Sequence, residues 1–167
     1  MKIKYLKGLA VLALMAFGIS SAQAAYHPDD DWQSDRLVGT WMFQISLQDC
    51  SLGTPIGAPF FSLLTFNRGG TVTETTANPM FFPAERGPGH GVWRQDGRHN
   101  YFEAATTAFI TVNGALTRTQ TITQTIEMLG DDSLKTTKAS VKFFSPSGSL
   151  LMTGCAAATA KRLELKD

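Results

Sequence analysis

Residues 41–49 alternate without a break. Trp41, Phe43, Ile45 and Leu47 fall on one side of an extended chain, with Met42, Gln44, Ser46 and Gln48 on the other. A repeat of two with one apolar side is what a strand needs to cover a core with one face. Gly39 lies two residues ahead of Trp41, a pivot that lets the indole turn inward. The pattern recurs down the chain. Further strands are expected at 60–66, 71–76, 90–95, 100–110, 116–128, 134–144 and 149–165. The turn signals between them include Asn67-Arg68-Gly69-Gly70, Asp96-Gly97, Asn113-Gly114, Gly130-Asp131-Asp132 and Pro146-Ser147-Gly148. Eight sequential strands on short turns read as an all-β chain, a small eight-stranded antiparallel up-and-down barrel. Closure leaves no open edge.

The first 24 residues stand apart. Lys2, Lys4 and Lys7 precede an apolar run from Leu9 to Ile19, and Ala22-Gln23-Ala24 ends it with small residues. That is the layout of a signal peptide at 1–24. The run is too short for a bilayer span of about 20 residues, and no cysteine at the cleavage point offers a lipid anchor. Residues 25–38 form a polar segment, in which Asp29 or Asp30 is expected to cap a short helical turn presenting Trp32 and Leu37. Residues 39–167 make the single barrel domain. The chain holds 15 basic and 14 acidic residues, so without the three leader lysines it is slightly acidic. No basic footprint for nucleic acid is present. A periplasmic or secreted protein, monomeric or a small homo-oligomer, is the expectation.

Cys50 and Cys155 complete the cysteine count. In an oxidising compartment such a pair reads as a disulfide, and barrel closure brings the first and last strands together so that it can form. Phasing then places other residues. If odd residues of the first strand face inward and Cys155 bonds Cys50, then Ala156, Ala158, Ala160 and Arg162 face inward as well. Arg162 would share the interior with Trp41, and the indole face is a suitable partner for a guanidinium. Both are expected to be structural.

Gly39-x-Trp41 opening the first strand, Arg162 near the end of the last, and a meander between them resemble the lipocalin and wider calycin superfamily. In that family the tryptophan packs at the closed end of the barrel under the arginine, and the resemblance carries those roles to Trp41 and Arg162. The middle lipocalin motif, an Asp-containing turn with a nearby Tyr, has no clear counterpart. No clear helix follows the last strand. The resemblance therefore points to a remote calycin or to an allene-oxide-cyclase-like barrel.

The strand at 116–128 carries the functional expectation. Leu116, Ile122, Ile126 and Met128 choose its even face as the inner one, which takes Arg118, Gln120 and Gln124 inside too. A ligand pocket mixes apolar walls with a few polar groups in this way, whereas a packed core pays for each. Residues 77–89 form a proline-rich loop whose Met80, Phe81 and Phe82 fold over the mouth as a lid or plug it. On the strand at 100–110, Phe102, Ala104, Thr106, Ala108 and Ile110 make the better inner face. Tyr101 and Glu103 lie opposite, and would be candidate catalytic groups only if a bulge turned them in.

The expected ligand-binding residues are thus Arg118, Gln120, Gln124, Ile122, Phe81 and Phe82. The expected ligand is a small apolar molecule with a polar head, held without a cofactor. Two alternatives stay open: a cofactor-free cyclase or isomerase using the same cavity, and a packed interaction or inhibitor module. His27, His90 and His99 are too scattered to bind a metal together, and no nucleophile elbow or phosphate-cradling loop is present.

Overall fold

The computed structural model describes residues 35–165. The signal peptide expected at 1–24 and most of the expected polar segment, with Trp32, lie outside them. Nine strands follow: β1 (Gly39–Gln48), β2 (Pro55–Asn67), β3 (Thr71–Thr76), β4 (Glu85–Arg86), β5 (Gly89–Gln95), β6 (Tyr101–Val112), β7 (Ala115–Met128), β8 (Ser133–Phe144) and β9 (Leu150–Arg162). Every pairing is antiparallel. The strands run β1-β2-β3-β5-β6-β7-β8-β9 and return to β1, a closed eight-stranded barrel with β4 as one additional short strand. β4 pairs with Ile110 and Thr111 of β6, one residue out of register with β5 along the same strand, so Gly87 and Pro88 form a bulge between the two pieces. The loop expected at 77–89 is therefore partly ordered backbone, with a 3₁₀ turn at Pro79–Phe81 and then β4.

The two ends of the barrel differ. At one, Leu37, Trp41, Phe43, Leu64, Phe66, Val72, Trp93 and Phe102 bury their side chains, and Ile126, Met128 and Leu134 close in from the far wall. Phe43, Phe66, Trp93 and Phe102 run across this end in successive ring contacts, with centroids 6.5, 6.1 and 5.9 Å apart. Burying side chains of this size contributes roughly 1.5–3 kcal/mol each. Both indole N–H groups find partners: Trp41 donates to the Leu37 carbonyl at 2.9 Å, and Trp93 to that of Asn67 at 3.0 Å. A helical turn at residues 35–37, closed by Val38 N–H donating to Asp35 O, sets Leu37 under Trp41.

Arg162 seals this end. Its Cζ lies 4.3 Å from the centroid of the Trp41 ring. The guanidinium also donates to the carbonyls of Val38 at 2.6 Å, of Asp131 at 3.1 Å, and of Arg36. These bonds explain Gly39 beyond its role as a pivot. Its φ is +133°, and a Cβ there would lie 2.6 Å from Arg162 Nη1. Replacing Arg162 by Leu strands three carbonyls and removes the ring contact. Stability should fall by ~1–4 kcal/mol in denaturant melts, with ligand affinity per folded molecule little changed. An R162L protein as stable as the parent would remove Arg162 from this structural role.

Register shifts bend the walls at the opposite, open end. Ile45 pairs with Phe60 but Leu47 with Ile56, so Gly57, Ala58 and Pro59 bulge out of β2 and the strand starts earlier than the expected 60. A proline inside a strand is tolerated at such a bulge. In β7 the shift lies at Thr117, whose hydroxyl donates to the Ile110 carbonyl at 3.1 Å. It turns Leu116 to the outside, where it is exposed, and so corrects the inner face expected for that residue. The turn Asn113-Gly114, with both residues at positive φ, is the two-residue hairpin turn that its sequence signals. Cys50 and Cys155 are disulfide-bonded, Cα atoms 5.2 Å apart, beside the Gln48–Cys155 pairing of β1 with β9.

Candidate functional site

The alanines of β9 hold the key to the interior. Ala156 and Ala158 stand opposite Leu47 and Ile45 across the β1–β9 seam, and their small side chains leave the volume that the aromatic end fills. The result is a cavity of about 290 Å³ opening between the loops of the open end. Phe43, Ile45, Leu47, Phe60, Ile122, Val141 and Phe143 form apolar walls. Gln120, Gln124 and Arg118 project from β7. Four of the expected ligand residues, Arg118, Gln120, Ile122 and Gln124, thus line one space. Phe81 also lines it from the 3₁₀ turn, whose first N–H groups are capped by Asn78, its Oδ1 accepting from Met80 N at 3.0 Å. Phe82 does not: it is 88% exposed and points away from the cavity.

The expected polar groups are not alike. Gln120 accepts from Arg86 Nε at 2.5 Å, and Gln124 accepts from the Thr136 hydroxyl at 3.2 Å. Arg118 makes no hydrogen bond or ion pair among the described residues, although it faces the cavity. Ser62 Oγ and Thr76 Oγ1, register partners on β2 and β3, are buried without a partner there.

Beneath Arg118 lies a cluster that the strand patterns had not revealed. Arg86 Nη2 contacts Glu74 Oε2 at 2.9 Å, with side chains 2% and 4% exposed. The same carboxylate oxygen accepts from the Thr106 hydroxyl at 3.0 Å, and Arg86 Nη1 donates to the Gly87 carbonyl at 3.2 Å. β3, β4, β6 and β7 each supply one member, so the cluster ties half the wall together under the cavity. Gly89 makes room for it, since a Cβ there would lie 2.9 Å from Glu74 Oε2. Glu74 had a signal of its own. Val72 is the one apolar residue of β3 and chooses its inner face, and Glu74 shares that face. Arg86 had none, because the Gly87-Pro88 bulge breaks any alternation around it.

Tyr101 and Glu103 stand on the outer face of β6, away from the cavity. Arg94 donates twice to Glu103 Oε2, at 2.9 and 2.6 Å, and Arg98 lies over the Tyr101 ring at 4.3 Å. Glu127 is the register partner of Tyr101 on β7, and its carboxyl is held below its ordinary range, first by Lys135 and less by Tyr101. No bulge turns either residue inward. Lys138 and Lys142 are exposed on the outer wall. Among the described residues, no three His, Cys, Asp or Glu side chains are grouped to hold a metal ion, and no helix is long and apolar enough to cross a membrane.

No protein-family model matches the chain, and no curated protein matches it. Among solved structures, the crystal structure of Rv2717c from M. tuberculosis is similar at a TM-score of 0.37 and 13% sequence identity, covering 77% of this chain and 94% of that one.

Proposed function

We propose that the protein is an exported carrier or sensor that holds a small apolar molecule with a polar, acidic head inside a calycin-like barrel. The observation that carries this reading is Arg118: a guanidinium without a protein partner among the described residues, facing a cavity whose other walls are mainly apolar. An apolar body satisfies Ile45, Phe60, Ile122 and Val141, while an anionic head gives Arg118 a charge-assisted bond. The partnerless hydroxyl of Thr76, which lines the cavity, offers a further polar contact from β3. Export draws support from the leader-like residues 1–24 and from the disulfide, which suits an oxidising compartment.

A fluorescent fatty acid should bind the parent with micromolar or better affinity. Arg118→Met should weaken it by ~1–3 kcal/mol through loss of the charged bond, with the fold intact. A parent that binds no probe, or an R118M protein that binds it equally well, would sink the reading.

A second reading, a cofactor-free cyclase or isomerase, draws on Glu74, a carboxylate buried beside the same cavity and positioned by Arg86 and Thr106. Under that reading Glu74→Gln loses turnover of an apolar substrate while probe binding stays nearly intact.

A further inference from the structure

Arg86 holds two cavity groups on one edge of its guanidinium. Nε donates to Gln120 Oε1 at 2.5 Å and Nη2 to Glu74 Oε2 at 2.9 Å, so the amide and the carboxylate stand side by side. An arginine has donors and no acceptor, which fixes the sense of the amide. Its oxygen faces Arg86, and its NH2 group is turned elsewhere. The far atom of each group is left over. Gln120 Nε2 and Glu74 Oε1 make no hydrogen bond among the described residues. Neither is enclosed, although the residues are only 6% and 4% exposed. Both residues line the cavity. The wall there presents one donor beside one acceptor. Covering them with an apolar chain would strand both, and the stranded carboxylate would cost the more.

We infer that this pair recognises a hydroxyl group, and that the ligand is an apolar acid hydroxylated a short way from its carboxylate. An alcohol accepts from Gln120 Nε2 and donates to Glu74 Oε1 through one oxygen. A carbonyl oxygen would satisfy the amide but set a second acceptor against the carboxylate. An unbroken alkyl chain would satisfy neither. The place of the hydroxyl follows from β7. Arg118 lies two residues nearer the mouth than Gln120 on the same face, about 7 Å away along a strand that rises ~3.4 Å per residue. A carboxylate on Arg118 therefore puts the hydroxyl within the first several carbons, and the rest of the body continues past Ile122 toward the aromatic end. The acid on Arg118 rests on the carrier reading above, whereas the donor–acceptor pair is an observation of its own. A site built to bond a hydroxyl rejects the analogue that lacks it far more strongly than an apolar pocket rejects a missing methylene.

The test titrates the full chain, disulfide intact, by calorimetry. The probes are laurate, laurates carrying one hydroxyl at successive carbons from the carboxylate, and the matching oxo-laurates. The quantity read is the ratio of affinities within each protein. In the parent the best hydroxylaurate should bind ~10-fold or more tighter than laurate, and its oxo counterpart no tighter than laurate. R118M should weaken all the acids together and leave that ratio in place. Glu74→Gln exchanges the open acceptor for a donor, because Arg86 again takes the amide oxygen, so the preference should pass from the hydroxy acid to the oxo acid. Gln120→Met keeps the Arg86–Glu74 pair and should bring the hydroxylated and plain acids level, which keeps the test open where E74Q does not fold. Laurate binding with no hydroxy acid preferred overturns the hydroxyl assignment and leaves the carrier reading standing. So does a hydroxy preference unchanged in Q120M. An R118M protein that binds the acids as well as the parent would instead refute the acid head of the carrier reading while the hydroxyl pair stands. A parent that binds none of the acids overturns both.

Discussion

Arg86→Met is expected to cost about 3–5 kcal/mol of stability, the range for breaking a buried ion pair by removing one partner. Methionine fills much of the volume but leaves the Glu74 carboxylate 4% exposed, with the Thr106 hydroxyl as its remaining bonded partner. Gln120 loses its donor at the same time. The loss should therefore exceed what a missing surface ion pair would produce. Removing both charges, as in Glu74→Met with Arg86→Met, should recover most of the stability, because no uncompensated charge then remains inside. Urea melts of the parent, both single variants and the double variant close a cycle that isolates the coupling. An R86M protein as stable as the parent would show that the wall does not depend on this pair. A double variant no better than R86M would place the cost in lost packing rather than in stranded charge.

Removing the disulfide is the second large effect. Cys50 and Cys155 are 105 residues apart, and cross-linking a loop of that length constrains the unfolded chain by ~4–5 kcal/mol in the entropy model. The bridge lies beside the β1–β9 seam, where the register runs from Trp41–Arg162 to Gln48–Cys155. Replacing both cysteines by alanine should lower the denaturant midpoint accordingly, while leaving the aromatic end in place because its side chains lie at the other end of the seam. The native protein should carry no free thiol and weigh about two mass units less than its reduced form. Two titratable thiols in protein purified from an oxidising compartment would contradict the bridge.

Local alternation made the barrel legible, since strands that each bury one face declare that face residue by residue. Trp41 and Arg162 could be matched for the same reason: the phases of the first and last strands, tied at Cys50 and Cys155, leave one arrangement for both. The failures occur where alternation is interrupted. Leu116 was grouped with Arg118 because a bulge at Thr117 is invisible to a count by twos. The early start of β2 was hidden behind Gly57, Ala58 and Pro59, which look like loop and act as a bulge. The Glu74–Arg86 pair joins β3 to β4, which continues the lane of the neighbouring β5 along β6, and a pairing of that kind belongs to the assembled wall rather than to either segment. Half of the cavity could be read from β7. The other half needed the register of β3 and β4.

The seam between β1 and β9 also orders events in time. Among the described strands β1 is synthesised first, and one of its two partners, β9, is synthesised last. Until β9 arrives, β1 has one open edge and Trp41 has no Arg162 above it. Pairings between residues so far apart in sequence make folding slow. A chain emerging N-terminus first therefore cannot finish its barrel midway, nor form its cross-link between Cys50 and Cys155 early. Arrival of β9 is the event that lets the barrel close.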